Sequence, residues 1–166
     1  RAQKQTTIGA IHSARYEDGH WRLWYARGDD WEIINGKPYP QYEICHVEAD
    51  NLLEISRQGD LCISPEKPEY RIGRPRVYKC NDGYVMYYTK GTVQGGYFPG
   101  KAISQDGLKW QRKDEEFELS LSNEGWDSLH LCYPAFITWR DREYVFYNGN
   151  NMGVEGFGVA VRDIRN

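Results

Sequence analysis

The sequence predicts an all-β fold built from three similar antiparallel units. Residues 73–88 predict a β-hairpin, because a short β-rich run with Pro75 near its start is followed by an Asn-Asp-Gly turn signal at 81–83 and an aromatic strand. The same hairpin returns without a gap around Pro134, and an earlier copy begins at Ile8. No stretch has a sustained 3.6-residue apolar period, which favours strands over helices.

A unit of about 60 residues that holds two hairpins is typical of a β-propeller blade, because one such sheet cannot bury both of its faces without neighbours. We therefore predict a β-propeller-like fold of about three four-stranded antiparallel blades. The blades are expected at residues 8–57, 70–119 and 125–166, with inner strands near 9–16, 73–79 and 131–138. An unrelated meander with recurring aromatic strands is the alternative.

In the first unit, the inner strand is expected to lead into a return strand at 20–26. Residues 27–42 hold an Asn-Gly pair, two prolines and the aromatic Trp31, which predicts a long connection. The third strand is expected at 42–48 and the outer strand at 52–56.

The second unit is expected to place its third strand near 100–104. The turn that follows reads Ser104-x-Asp106-Gly107, and a tryptophan at 110 then returns to pack on the sheet. The third unit opens at 125–128 and closes with a strand at 156–161.

Length and composition fit one folded domain. The chain has 166 residues, of which 40% are hydrophobic, and this is enough to build a packed core. The formal net charge is −3 with both signs interspersed, so nucleic acid is not an expected partner. No segment has the roughly 18 consecutive apolar residues of a membrane span, and residues 1–5 lack the apolar core of a signal peptide.

The four cysteines are spaced too widely for a metal or redox motif. Buried free thiols are the preferred interpretation, and disulfides stay open because the count is even. This favours a cytoplasmic location, and neither a metal nor another cofactor is expected. The cysteines are Cys45, Cys62, Cys80 and Cys132.

Four motifs in this order resemble the five-bladed propellers of arabinanases, invertases and levansucrases. They are more similar still to the C-terminal three blades of uncharacterised glycosidase-like proteins of bacterial polysaccharide gene clusters. The resemblance covers nearly the whole chain and implies a carbohydrate-active propeller. Its motifs are Gly73-Arg74-Pro75-x-Val77, Ser104-x-Asp106-Gly107-Leu108-x-Trp110, Gly125-Trp126-Asp127-Ser128, and Tyr147-Asn148-Gly149-Asn150 with Gly156-Phe157-Gly158-x-Ala160.

The chain departs from this superfamily in its catalytic acids. The resemblance implies an acidic residue before the inner-strand proline, as Asp-Pro or Glu-x-Pro. Here Arg74 precedes Pro75, Tyr133 precedes Pro134, and Cys132 stands at the Glu-x-Pro position. A nucleophile or base would then lie in blades that this sequence does not contain.

The best acidic candidates for glycoside hydrolysis, which uses two carboxyl groups, are Asp127 and Glu69. Each lies in a connection that leads to an inner strand. The structural alternatives are an Asx-turn for Asp127 and a surface ion pair for Glu69.

Arg74 is the first substrate-binding candidate, because its fork of donors suits a carboxylate or a sugar diol. A structural pair with a neighbouring blade is the alternative. His12 and His130 are expected to reach the same axis, although a lone histidine in a strand is more often structural.

Several aromatic residues could stack on sugar rings, although most aromatics in a propeller pack between blades. The candidates are Trp31, Tyr42, Trp126 and Tyr133. Together these residues predict a glycosidase-like propeller that acts on or binds a glycan or small sugar, and a non-catalytic glycan-binding or assembly module is the alternative.

Three blades would not close a ring, so flat apolar faces should remain on the first and third sheets. We expect a two-fold homodimer that covers these faces, which should carry Leu23, Trp24, Val145 and Tyr147.

Overall fold

The computed structural model describes residues 7–56 and 58–164. It is 61% strand and 6% helix, which confirms the all-β prediction. The first sheet consists of β1 (Thr7–Glu17), β2 (His20–Ile34), β3 (Lys37–Ala49) and β4 (Asp60–Ile63). The second consists of β5 (Glu69–Cys80), β6 (Gly83–Thr92), β7 (Tyr97–Ser104) and β8 (Gln111–Arg112). The third consists of β9 (Cys132–Trp139), β10 (Arg142–Asn148) and β11 (Phe157–Asp163).

All three sheets are antiparallel meanders, and the predicted inner strands correspond to β1, β5 and β9. Within the described residues the third sheet has three strands and not the expected four. Helical turns are short and lie in connections, at Leu52–Glu54, Asp114–Glu116 and Asn150–Gly153. No helix in the described part of the chain is long and apolar enough to cross a membrane.

The long connection predicted at 27–42 is wrong, because β2 and β3 continue through it as a paired hairpin. Its turn is the Asn-Gly pair, with φ of 51° at Asn35 and 75° at Gly36, which is the geometry that joins two strands with a right-handed twist. Pro38 and Pro40 are tolerated because β4 pairs with β3 only at 44–46, so this arm of β3 is a sheet edge.

The outer strand predicted at 52–56 is also wrong, and that position is occupied by a 3-10 turn. The side chain of Asn51 accepts a hydrogen bond from the Leu53 N–H at 3.0 Å and caps this turn. The outer strand of the first sheet is β4, which lies beyond the predicted end of the first blade at residue 57.

The first and second sheets pack through a core that contains Trp24, Ile44, Ile72, Met86 and Tyr88. Each of these side chains is fully buried. The Trp24 indole donates to the Gly107 carbonyl at 3.0 Å, so the turn after β7 is part of the interface between the two sheets.

The Ser-x-Asp-Gly turn is held by its own side chains. Asp106 accepts the backbone N–H groups of Leu108 at 2.8 Å and Lys109 at 2.9 Å, and these bonds lower its pKa to about 2. The Trp110 indole donates to the Gly107 carbonyl at 3.0 Å, so this carbonyl accepts two indole N–H groups. The motif therefore joins two sheets through one peptide oxygen.

The second and third sheets meet through aromatic side chains. Tyr87 stacks on Phe136 with ring centroids 3.9 Å apart, and the hydroxyl of Tyr78 accepts the Phe136 N–H at 2.9 Å. Beside this contact a groove of about 190 Å³ is lined by residues that include Phe117, Leu119 and Arg162.

The four residues expected on exposed end faces are all buried, so that expectation is wrong. Trp24 faces the second sheet, and Leu23 packs in a second cluster with Cys45, Val47 and Ile55. Val145 and Tyr147 are 8% exposed. The apolar face that is open belongs to the third sheet, where register places together Ile137, Trp139, Phe146, Val159 and Val161, each 44–57% exposed.

Candidate functional site

Each inner strand contains an extra residue at an equivalent position, and β1 and β5 each have a second register shift nearer their start. In β1, Ile11 pairs with Tyr25 and Ser13 pairs with Trp24, so His12 is inserted. In β5 and β9 the register shifts by one residue around positions 74–75 and 133–134. Bulges of this kind bend a strand and re-aim its side chains. Three bulges therefore direct His12, Arg74 and Tyr133 differently from a regular strand.

Two of the bulge residues have left-handed backbones, with φ of 54° at Arg74 and 60° at Tyr133. Each directly precedes a fully buried proline, Pro75 or Pro134. For a side chain with a Cβ this conformation costs about 1–2 kcal/mol, so packing must hold it in place. The Tyr133 N–H donates to the Thr89 hydroxyl at 2.7 Å, which fixes the bulge of β9 to the second sheet.

The three bulges surround one cavity of about 280 Å³. His12 and Tyr42 line it from the first sheet, Arg71, Arg74 and Tyr97 from the second, and Tyr133 from the third. The structure therefore brings four of the predicted binding residues to the same site, namely His12, Tyr42, Arg74 and Tyr133.

The arginines of the cavity lie against tyrosine rings. The Arg74 guanidinium carbon is 4.0 Å from the centroid of Tyr133, and Arg74 is exposed. Arg71 is half-buried, with its guanidinium carbon 4.9 Å from the Tyr70 centroid and 5.0 Å from that of Tyr97. These cation–π contacts orient each planar fork of donors.

His12 is half-buried, and its Nδ1 is buried with no hydrogen-bond partner among the described residues. Burial lowers the pKa of His12, and the nearby charges of Arg74 and Arg76 lower it further. His12 is therefore neutral at pH 7 and presents a neutral imidazole at the cavity.

Glu69 does not line the cavity. Its carboxylate accepts two bonds from the Arg112 guanidinium, at 2.6 and 2.9 Å, and lies 3.8 Å from the Lys90 ammonium. Asp114 joins the same cluster through Lys90 and Arg112. This arrangement has the form of the ion pair that was the structural alternative for Glu69, although it is part-buried.

Asp127 is 6% exposed and also lies outside the cavity lining. It accepts a hydrogen bond from the Tyr147 hydroxyl at 2.9 Å, and burial together with this carboxylate raises the pKa of Tyr147 to about 12. Trp126 stacks on Tyr147 with centroids 5.5 Å apart. Asp127 and Trp126 thus pack the corner before β9, and any catalytic or binding role for them stays a prediction.

Of the remaining two predicted residues, His130 lies near the cavity and Trp31 lies far along β2. His130 packs edge-on against Tyr97 at 5.4 Å, one layer behind the lining. Trp31 is 56% exposed on the extended arm of β2, opposite Pro40.

Sequence reasoning missed Arg71 and Tyr97. In a regular strand, residues three apart point to opposite faces, so a site at Arg74 gives no reason to place Arg71 there. The bulge in β5 changes this parity. In the structure both side chains pack over Gly91, where a Cβ would lie 3.0 Å from the Tyr97 ring and 3.4 Å from the Arg71 Nε.

The cavity offers donors and aromatic faces, and no aspartate or glutamate is among its described lining residues. Cys132, at the position where the superfamily resemblance implies an acid, is a buried thiol whose pKa burial raises to about 11. Among the described residues, no cluster of three or more histidine, cysteine or carboxylate side chains could hold a metal ion. The described part of this site is therefore suited to binding.

Sequence comparison finds relatives of unknown activity. No family model matches the chain. An uncharacterized protein of Mycobacterium tuberculosis strain H37Rv, Rv1502, is 26% identical over 151 residues, which cover 87% of this chain and 48% of that protein. An uncharacterized protein of strain CDC 1551, MT1551, is 25% identical over 147 residues with the same coverage. The chain spans about half the length of the curated relatives it matches.

Solved structures with a similar fold include two hydrolases and a phosphorylase. Zg3597, a family 117 glycoside hydrolase of the marine bacterium Zobellia galactanivorans, has a TM-score of 0.74 and 14% identity over 96% of this chain and 53% of that one. β-1,2-Mannobiose phosphorylase from Listeria innocua has a TM-score of 0.63 and 15% identity, over 98% and 45%. Sucrose-6-phosphate hydrolase from Lactobacillus gasseri has a TM-score of 0.61 and 13% identity, over 89% and 34%. The chain therefore shares its fold with solved glycoside hydrolases, the kind of protein that its sequence motifs resemble.

Proposed function

We propose that the chain is a carbohydrate-active protein that binds a glycan in the cavity between its three inner strands. One observation carries the proposal: separate one-residue bulges in β1, β5 and β9 direct His12, Arg74 and Tyr133 to the same cavity. Bulges and left-handed residues concentrate at functional sites. They lower the stability of the fold, so packing alone does not explain why three of them surround one cavity.

The lining has the chemistry of a sugar site. Tyr42, Tyr97 and Tyr133 present aromatic rings, which complement the apolar C–H faces of a sugar ring. Guanidinium and imidazole groups supply donors for hydroxyl oxygens. The volume, about 280 Å³, is near the lower end of the roughly 300–1,000 Å³ of small-molecule sites, which suits a small sugar unit.

The non-catalytic module is the second candidate, and it is favoured by one observation. Hydrolysis uses two carboxyl groups about 5–10 Å apart across the bond, and no described lining residue carries a carboxyl group. Asp127 accepts a bond from Tyr147, and Glu69 is paired with Arg112. Catalysis would then need either a rearrangement of these acids or carboxylates from outside the described residues.

Binding and turnover can be tested on the same protein. Calorimetric titration with a panel of oligosaccharides should find a ligand, and Tyr133→Ala should weaken it about ten-fold or more, since truncating an anchoring aromatic residue costs at least about 1.4 kcal/mol. Tyr16→Ala, at a tyrosine that is 60% exposed outside the cavity, is the matched control and should bind normally.

A screen of chromogenic glycosides at about pH 5 to 8 then separates the two candidates. Turnover that is lost in Asp127→Asn would establish the enzyme, and binding without turnover would establish the module. A chain that binds no member of the panel, or a Tyr133→Ala variant that binds as well as the native protein, would contradict the proposal.

A further inference from the structure

The two arginines of the cavity differ from the paired arginines elsewhere in the chain. Arg27 is paired with Glu43, and Arg112 is paired with Glu69 and Asp114. Arg71 and Arg74 form no ion pair with any carboxylate among the described residues, and each lies against tyrosine rings. The cavity therefore carries positive charge that the described chain does not neutralise.

This charge is costly where Arg71 lies. The side chain is half-buried, and its Nε is buried without a hydrogen-bond partner among the described residues. A charged donor withdrawn from water is normally paired, because an unpaired one loses its hydration without compensation. An anion that enters the cavity from solvent would supply the negative charge that this guanidinium lacks.

The second arginine is placed to reach the same anion from the open side. The bulge in β5 turns Arg74 to the cavity, where its guanidinium is exposed and held over Tyr133. The local charge does not follow from a basic chain, since the formal net charge is −3. Two oriented forks with no acid beside them match the two oxygens of a carboxylate, or the oxygens of a sulfate or phosphate group.

We propose that the ligand of this cavity is an acidic sugar, one that carries a carboxylate, sulfate or phosphate group, and that Arg71 and Arg74 bind its oxyanion. The inference rests on the proposed glycan site and adds the chemical class of its ligand. Arg74 and Arg71 are specificity-determining residues in this account, and Tyr133 and Tyr97 hold them in position.

The test compares acidic sugars with neutral forms of the same length. Trisaccharides of galacturonate, glucuronate and mannuronate are titrated beside their methyl esters, and sulfated and phosphorylated galactose beside galactose. We expect at least one acidic sugar to bind about ten-fold or more tightly than its neutral form, and this preference should shrink as salt is added. Whether the carboxylated, the sulfated or the phosphorylated sugar binds identifies the anionic group that the cavity recognises.

Variants assign the preference to the two arginines. Arg74 is exposed, so Arg74→Gln should fold. This variant should reduce the ratio of acidic-sugar affinity to neutral-sugar affinity about ten-fold. Arg71→Lys keeps the positive charge but loses the planar fork of donors. We expect it to reduce the same affinity ratio while its circular dichroism spectrum stays that of the native chain. Arg142→Gln is the control, because Arg142 is exposed, pairs with Asp163 at 3.1 Å and lies outside the cavity.

The outcomes are distinguishable from those that test the glycan site itself. If neutral sugars bind as tightly as acidic ones, the acidic class is wrong and the glycan site stands. If the preference survives in both Arg74→Gln and Arg71→Lys, the assignment to these arginines is wrong. If no sugar binds, both proposals fail.

Discussion

Replacement of Arg74 by glycine tests whether the bulge of β5 holds a left-handed residue. Arg74 has a φ of 54°, a region that glycine adopts freely and that costs a residue with a Cβ about 1–2 kcal/mol. Arg74→Ala loses the cation–π contact with Tyr133 and keeps this cost. Arg74→Gly loses the same contact and removes the cost.

The size of the difference follows from these contributions. Loss of the cation–π contact at an exposed arginine destabilises both variants by about 0.5–1 kcal/mol. Glycine adds about 0.5–1 kcal/mol of unfolded-chain entropy, which offsets part of the relieved backbone cost. We therefore expect Arg74→Gly to be more stable than Arg74→Ala by about 0.5–1 kcal/mol, which is about 1–4 °C in Tm for a chain of this size.

Urea unfolding followed by tryptophan fluorescence measures this difference. Arg76 is the matched control, because it lies two residues away in β5, is exposed and is not among the residues with positive φ. There glycine should be the less stable variant by about 0.5–1 kcal/mol. The reasoning is refuted if alanine is the more stable substitution at both positions.

Trp24→Phe should cost about 1–2 kcal/mol in urea, because the Gly107 carbonyl loses one of its two indole donors. Burial lowers the folded-state pKa of His46 below its ordinary value of 6.5, so the unfolded chain binds a proton that the folded chain does not. The free energy of unfolding should therefore be highest above about pH 6.5 and fall as the pH drops through the lowered value. His46→Gln should flatten this pH dependence. We also propose that the chain forms a two-fold dimer through the open face of the third sheet. Val159→Glu should halve the mass measured by light scattering, whereas the control Val154→Glu, which lies outside that face, should leave the mass unchanged. A native chain that is monomeric would contradict the dimer.

The sequence predicts the three sheets because their signals are local. Turn residues such as Asp18-Gly19 fix each hairpin, and the structure gives them φ of 52° and 88°. The aromatic strands then alternate between faces in the register that these turns set. The repeat of the hairpin was visible without knowing which residues touch.

The errors arise where neighbouring structure decides the outcome. Residues 27–42 were assigned to a long connection because they hold an Asn-Gly pair, two prolines and other turn residues, yet an edge strand without a partner tolerates proline. The buried positions of Trp24 and Val145 depend on which face of each sheet meets its neighbour, and a period of two does not say which.

The candidate site was predictable in part. Arg74 and Tyr133 were found because both stand before the inner-strand proline in aligned repeats. Arg71 was missed because a one-residue bulge reverses the faces of a strand and leaves no mark on its composition. The acids failed to join the site because Glu69 and Asp127 are held by Arg112 and Tyr147.

The most direct test of the account is a crystal structure of the chain with the oligosaccharide that binds most tightly in the titrations. We predict sugar density between β1, β5 and β9, with the Arg74 guanidinium and the Tyr133 ring in contact with it. Sugar density elsewhere, such as in the groove beside Phe117 between the second and third sheets, with the central cavity empty, would contradict the account.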